Sequence, residues 1–148
     1  MIAKIGTQTY PISLAVSAHP DIEQIPPERT KFYQGLSEEI QRRLGLGVYF
    51  PARDLPQGIS SGQVYSTVSE KMLESKLFIA DIGTPSTDAG IILGIGLGHG
   101  KPFVTFYHEG DREDQILKSN GIKFSEAVRV CTPEQGVQEI VEAVRKHF

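Results

Sequence analysis

Hydroxyls, glycines and imidazoles are the groups in this chain whose placement could do chemistry. Gly83-Thr84-Pro85-Ser86-Thr87-Asp88-Ala89-Gly90 joins an apolar run to a run of small residues. Backbone N–H groups at the helix start, with the Ser86 or Thr87 hydroxyl, would form an anion site. Ser86 or Asp88 would equally serve as a helix cap, a purely structural role. Ser17 and His19 follow another apolar run, Ile12 to Val16, where a loop could turn them toward a ligand. The histidines, His19, His99, His108 and His147, have no metal-ligand spacing with one another or with Cys131, so neither a metal nor a cofactor is expected. His108 and His147 read as solvated, and Cys131, closing the run Val128 to Cys131, reads as a buried thiol acting as a small hydrophobe. The glycine-rich stretch Gly94 to Lys101 fails the phosphate-loop pattern, because Ile95 and Pro102 stand where Gly and Ser or Thr are needed. Those glycines read as packing residues of a helix.

The elements that must position these groups follow from hydrophobic period and punctuation. Ile12 to Val16 is an apolar strand, and Pro26-Pro27 opens a helix with Phe32, Leu36, Ile40 and Leu44 at four-residue spacing, stopped by Gly45 and Gly47. Val48-Tyr49-Phe50 is a strand cut by Pro51, followed by a loop from Ala52 to Gly62. Val64, Val68 and Met72 mark a second helix. Leu77 to Ile82 is nearly all apolar, as a strand covered on both faces must be. A small-residue helix from Ala89 to His99, a strand Pro102 to Tyr107, a charged loop from His108 to Asp114 and a strand Val128 to Cys131 complete the series. Thr132-Pro133-Glu134-Gln135 is a capping box that starts a final helix with Val137, Ile140, Val141 and Val144 on one face.

Alternation of strand and helix predicts an α/β fold: a doubly wound, five-stranded parallel sheet with helices on both faces, a three-layer arrangement of the flavodoxin or Rossmann kind. Ligands of such sheets sit at the carboxyl ends of the strands. That brings the loops Ser17 to Asp21, Pro51 to Gly62 and Gly83 to Asp88 to one edge.

With 148 residues the chain fits one domain, residues 1–148. Lys and Arg number 15 against 18 Asp and Glu, a net charge of −3, so there is no cationic excess to neutralise nucleic acid or an anionic bilayer. The polar N-terminal residues do not form a secretory signal, and the single cysteine rules out an internal disulfide. No apolar run reaches the roughly 20 residues of a membrane span. A cytoplasmic setting is expected.

Leu77 to Pro102 resembles the central block of the nucleoside 2-deoxyribosyltransferases and the related deoxynucleoside monophosphate N-glycosidases: an apolar strand ending in Ala80-Asp81, then Pro85-Ser86, Gly90, and a helix with Leu93-Gly94 before Gly100-Lys101-Pro102. Ile12 to Ser17 and Val48 to Asp54 are similar to that family's first two strands, and the likeness covers most of residues 12 to 107. The resemblance implies chemistry at the anomeric carbon of a nucleoside, with a Glu as nucleophile and an Asp on the preceding helix. At the matching positions this chain has Ile92 and Val68, neither of which can ionise.

Other positions persist. The resemblance gives Ser17 and Ser86 the role of 5′-phosphate contacts, with His19 at a basic position, and Pro51, Thr87, Gly90 and Ile92 join them as expected ligand-binding residues. The implied function is a catalytically silent binder of a nucleoside or nucleotide, forming a homodimer or higher homo-oligomer. The alternative is an active transferase or N-glycosidase whose acids come from Asp88, Asp54, Glu70 or a neighbouring subunit. A flavodoxin-like or receiver-like switch shares the sheet class but fits less well, because the loop after the first strand of this chain lacks the hydroxyl-rich or paired-acid chemistry those sites need.

Overall fold

A computed structural model of the chain describes residues 10–15, 27–56, 58–83, 87–111 and 127–148. Its strands are β1 (Ile12–Ala15), β2 (Val48–Tyr49), β3 (Leu77–Asp81), β4 (Phe103–His108) and β5 (Ala127–Val130). They form one five-stranded sheet in the order β2-β1-β3-β4-β5, and every pair is parallel. This is the expected doubly wound arrangement, with the order reversing between β1 and β3.

Helices α1 (Pro27–Leu44) and α5 (Pro133–Arg145) cover one face, and α3 (Ser61–Glu74) and α4 (Thr87–Gly98) cover the other. Phe32, Leu36 and Ile40 of α1 pack with Ile140, Val141 and Val144 of α5 over the strand residues Ile12, Leu14, Leu77, Ile79, Val104 and Phe106. Val68 and Met72 of α3 and Leu93 of α4 pack with Tyr49, Phe78, Ala80 and Phe103 beneath the opposite face. Each large apolar side chain so buried contributes about 1.5–3 kcal/mol.

Local chemistry sets the helix ends. Gly45 adopts φ +67° after α1, a left-handed conformation that suits a residue without a Cβ, and its N–H donates to the Gln41 carbonyl at 3.0 Å. Reciprocal capping boxes start α3, through Ser60 and Gln63, and α5, through Thr132 and Gln135. Helix α4 begins at Thr87, two residues ahead of the expected start at Ala89. A side chain at Gly96 would collide with Phe78 and Phe103, so this glycine is what lets α4 lie close on the sheet.

The segment read as a loop after β2 instead begins with a single helical turn, α2 (Pro51–Asp54). Pro51 sits at its first position, where a missing N–H is harmless. Asp54 accepts the Phe50 N–H at 2.8 Å, and Arg53 Nη2 donates to the Val48 carbonyl at 2.7 Å, so the turn folds back onto the strand it follows. Among the described residues no helix is long and apolar enough to cross a membrane.

Candidate functional site

Leu77, Ile79 and Asp81 share one face of β3, and on β4 the same face carries Val104, Phe106 and His108. Where the apolar residues of that stripe end, at the carboxyl edge of the sheet, the next inward positions are polar. The Asp81 side chain is 1% exposed. A carboxylate so placed is costly unless its oxygens are satisfied. The Tyr33 hydroxyl donates to Asp81 Oδ2 at 2.5 Å, Arg29 Nη1 lies 3.3 Å from the same oxygen, and the Gly83 N–H donates to Oδ1 at 2.9 Å. Tyr33 and Arg29 stand one turn apart on α1, so the helix that follows β1 delivers both groups to the end of β3.

Asp111 closes the cluster from the turn after β4. Gly110 at φ +88° reverses the chain, so that the Asp111 carboxylate accepts the His108 N–H at 2.9 Å and a hydrogen bond from Arg29 Nη2. Its approach depends on Gly83, where a Cβ would fall 2.1 Å from Asp111 Oδ2. The guanidinium thus bridges two carboxylates contributed by different parts of the chain. Burial would ease its proton off, but the Asp111 hydrogen bond and the charges of Asp81 and Asp111 outweigh that and hold the proton more firmly than usual.

His108 is the fifth member. Its ring packs edge-on against Phe32, with centroids 4.7 Å apart, and against Phe106 at 5.9 Å. Its Nδ1 lies 4.0 Å from Asp111 Oδ2, is inaccessible to water, and has no hydrogen-bond partner among the described residues. Burial, followed by the Arg29 charge, pushes the imidazole pKa below its ordinary 6.5 against the opposing pull of Asp81 and Asp111. The sequence reading of His108 as solvated is therefore corrected. β4 runs through His108, and strand parity turns the ring inward under Phe32. His147 is exposed, as expected.

Asp81, His108 and Asp111 offer donor atoms all within 4.8 Å of one another, which no sequence spacing reveals. Arg29 already lies on both carboxylates, so the protein supplies the positive charge itself. Chemically, the set can hold an anion on the guanidinium, relay a proton through His108, or present carboxylates to a polar ligand.

Of the residues expected at the site, Ser17, His19 and Ser86 lie outside the described residues. The backbone of Thr87, Asp88 and Ile92 belongs to α4, but their side chains likewise lie outside the description. Pro51 is buried at the start of α2, and Gly90 is exposed in the first turns of α4. Val68 is 3% exposed, packed among Tyr49, Met72, Phe78 and Leu93. Apart from the phenol of Tyr49, whose buried hydroxyl has no hydrogen-bond partner among the described residues, its neighbours are apolar, so the shell at this helix position suits a hydrocarbon. Of the substitute acids, Asp54 is engaged by Arg53 and the Phe50 N–H, and Glu70 is exposed. Cys131 is also exposed, a correction: Val128 and Val130 point inward, so alternation sends residue 131 out with 127 and 129. A groove of about 660 Å³ lies between α1 and α5, on the flank of Phe32 away from Val68.

No residue spacing in the sequence announces the cluster of Arg29, Tyr33, Asp81, His108 and Asp111. One signal pointed to it: a single carboxylate, Asp81, ending an otherwise apolar strand.

No protein-family model and no curated protein matches the chain. Solved structures do. The CMP N-glycosidase BcmB of Clostridium botulinum superposes with a TM-score of 0.66 at 16% identity, over 89% of this chain and 98% of that one. The TIR domain of a Toll-related receptor from Hydra magnipapillata gives 0.62 at 14% identity, over 94% and 98%. A conserved protein from Enterococcus faecalis gives 0.58 at 18% identity, over 92% and 99%. At these identities the likeness establishes a shared fold.

Proposed function

We propose that this chain binds a nucleoside or nucleotide at the carboxyl edge of its sheet and does not use the paired-carboxylate chemistry of the family its sequence resembles. The carrying observation is Val68, buried at 3% exposure in an apolar shell at the position where that resemblance calls for an ionisable side chain. An anion is needed there to compensate charge developing on a sugar, and valine supplies none. A fold shared with a CMP N-glycosidase makes CMP and cytidine the first ligands to try.

Ser17, His19, Ser86, Thr87, Gly90 and Ile92, with Pro51 at the rim, are the proposed ligand contacts. Asp81 ends β3, and Arg29, in the first turn of α1, lies 3.3 Å from its carboxylate. Calorimetric titration with CMP, cytidine and a panel of other nucleotides tests the reading: saturable heat for at least one is expected, and none for any member overturns it. Chromatography of the same mixtures after long incubation should show intact ligand.

A second reading is favoured by the two carboxylates and the imidazole gathered from β3, β4 and the following turn. These could act as substitute acid and base in N-glycosidic bond cleavage. Release of free cytosine from CMP, lost on Asp81→Asn, would select it.

The proposal extends to a homodimer through α4. From Ala89 onward its sequence holds only apolar residues and glycine, Gly90, Gly94 and Gly98 are exposed along it, and Leu97 stands out beside them. An exposed line so poor in polar groups calls for cover. Light scattering at micromolar concentration should give twice the chain mass.

A further inference from the structure

The carboxyl-edge cluster sets one cation, Arg29, between two anions, Asp81 and Asp111. In that state the guanidinium is a poor receptor for phosphate, because Nη1 and Nη2 face carboxylates and the set is net negative. Among the described residues of the cluster, only His108 titrates near neutrality and can change that balance. Among the described residues, the groups facing it are Arg29 from α1, with the Tyr33 hydroxyl behind it on Asp81; Asp81 from β3; and Asp111 from the turn after β4. From β5 the residue paired with it is the apolar Val130, while Arg129 lies on the other face beside Glu109 at 3.3 Å.

We propose that these five residues form a proton-operated anion site, in which protonated His108 takes Asp111 as its partner and turns Arg29 toward a phosphate-bearing ligand. The proposal rests on reading this edge as nucleotide-binding, and adds the condition under which binding occurs. The geometry is prepared for the exchange. Nδ1 already faces Asp111 Oδ2 at 4.0 Å, about an ångström beyond a charge-assisted hydrogen bond. The Asp111 carboxylate is anchored by the His108 N–H, so it can pivot toward the imidazolium without leaving its turn. The proton comes from solvent and resides on the imidazole, and the set passes from net negative to neutral as Arg29 exchanges one carboxylate for an external anion. By linkage, an anion on Arg29 must in turn strengthen the hold of His108 on its proton.

Sulfate is the probe, because its charge is constant across the range in which His108 titrates. Titrations at about pH 7.5 and about pH 5.5, followed by calorimetry and by the His108 imidazole resonances, should show affinity rising about tenfold or more on acidification. In the wild-type protein sulfate should move the His108 titration upward in pH, a readout that requires no variant. His108→Gln should lose the acid gain, Asp111→Asn should bind at both pH values, and Arg29→Gln at neither. An unmoved His108 titration, or an acid gain that survives in His108→Gln, overturns the proposal. CMP binding with no sulfate response at either pH also overturns it while leaving the nucleotide reading intact. The sulfate pattern without binding of any nucleoside or nucleotide does the reverse.

Discussion

Asp111 occupies the space where a side chain on residue 83 would be. A Cβ built on Gly83 falls 2.1 Å from Asp111 Oδ2, inside any permissible contact, so the glycine after β3 and the aspartate after β4 are conditions of each other. Gly83→Ala should displace Asp111 from Arg29 and lower stability by about 1–3 kcal/mol, the usual range for overpacking a filled site. Chemical denaturation would measure the loss, and an unchanged midpoint would show that Asp111 has another seat.

Tyr33→Phe removes a hydroxyl donor from the buried carboxylate of Asp81 and leaves the ring's packing against Phe50 and Phe106 in place. The expected loss is about 1–3 kcal/mol, the penalty of leaving a buried acceptor short of a donor. A loss below a few tenths of a kcal/mol would mean that the other partners of Asp81, Arg29 and the Gly83 N–H among them, satisfy it without Tyr33.

Acid should weaken the fold through His108. Burial and Arg29 place its folded pKa below 6.5, so between that folded value and 6.5 the unfolded chain binds more protons. The contribution is complete above pH 6.5 and is lost as pH falls through the folded pKa. Stability measured across this window should decline in the wild type and decline less in His108→Gln. Parallel curves would place the titrating group elsewhere.

Restoring a carboxylate at the position the family resemblance singles out should not restore chemistry. Val68→Asp puts a charge among Tyr49, Met72, Phe78 and Leu93, and should destabilise by about 3 kcal/mol or more without release of base from CMP. A well-folded, stable variant would mean that water or an unrecognised polar partner reaches this shell.

Two glycines of α4 should respond in opposite directions. Gly96→Ala collides with Phe78 and Phe103 and should destabilise, whereas a methyl at exposed Gly94 meets nothing and should stabilise the helix by about 0.5–1 kcal/mol. If α4 is the contact between two copies, Gly94→Ala should also weaken the dimer, visible as a concentration-dependent mass by light scattering.

The sheet was legible because its determinants are local. Four-residue spacing in α1 and α3, the apolar run of β3 and the capping box of α5 each declare an element within a dozen residues. The polar cluster was not, because Arg29, Asp81 and Asp111 are separated by 52 and 30 positions and meet only once the strands are in order. His108-Glu109-Gly110-Asp111 has the composition of a solvated turn. Two structural facts reverse that reading: β4 extends to His108, and Gly110 bends Asp111 back upon it. Cys131 departs from its expected burial for a simpler reason: its neighbours Val128 and Val130 are apolar, but strand parity sends residue 131 to the outer face.

The brevity of β2 also governs how copies of this protein can meet. Two residues offer little ladder for a foreign strand, and α2 has already claimed the Val48 carbonyl through Arg53 and the Phe50 amide through Asp54. Along that margin, cross-molecule sheet extension, the common route to fibrils, is shut at its first rung.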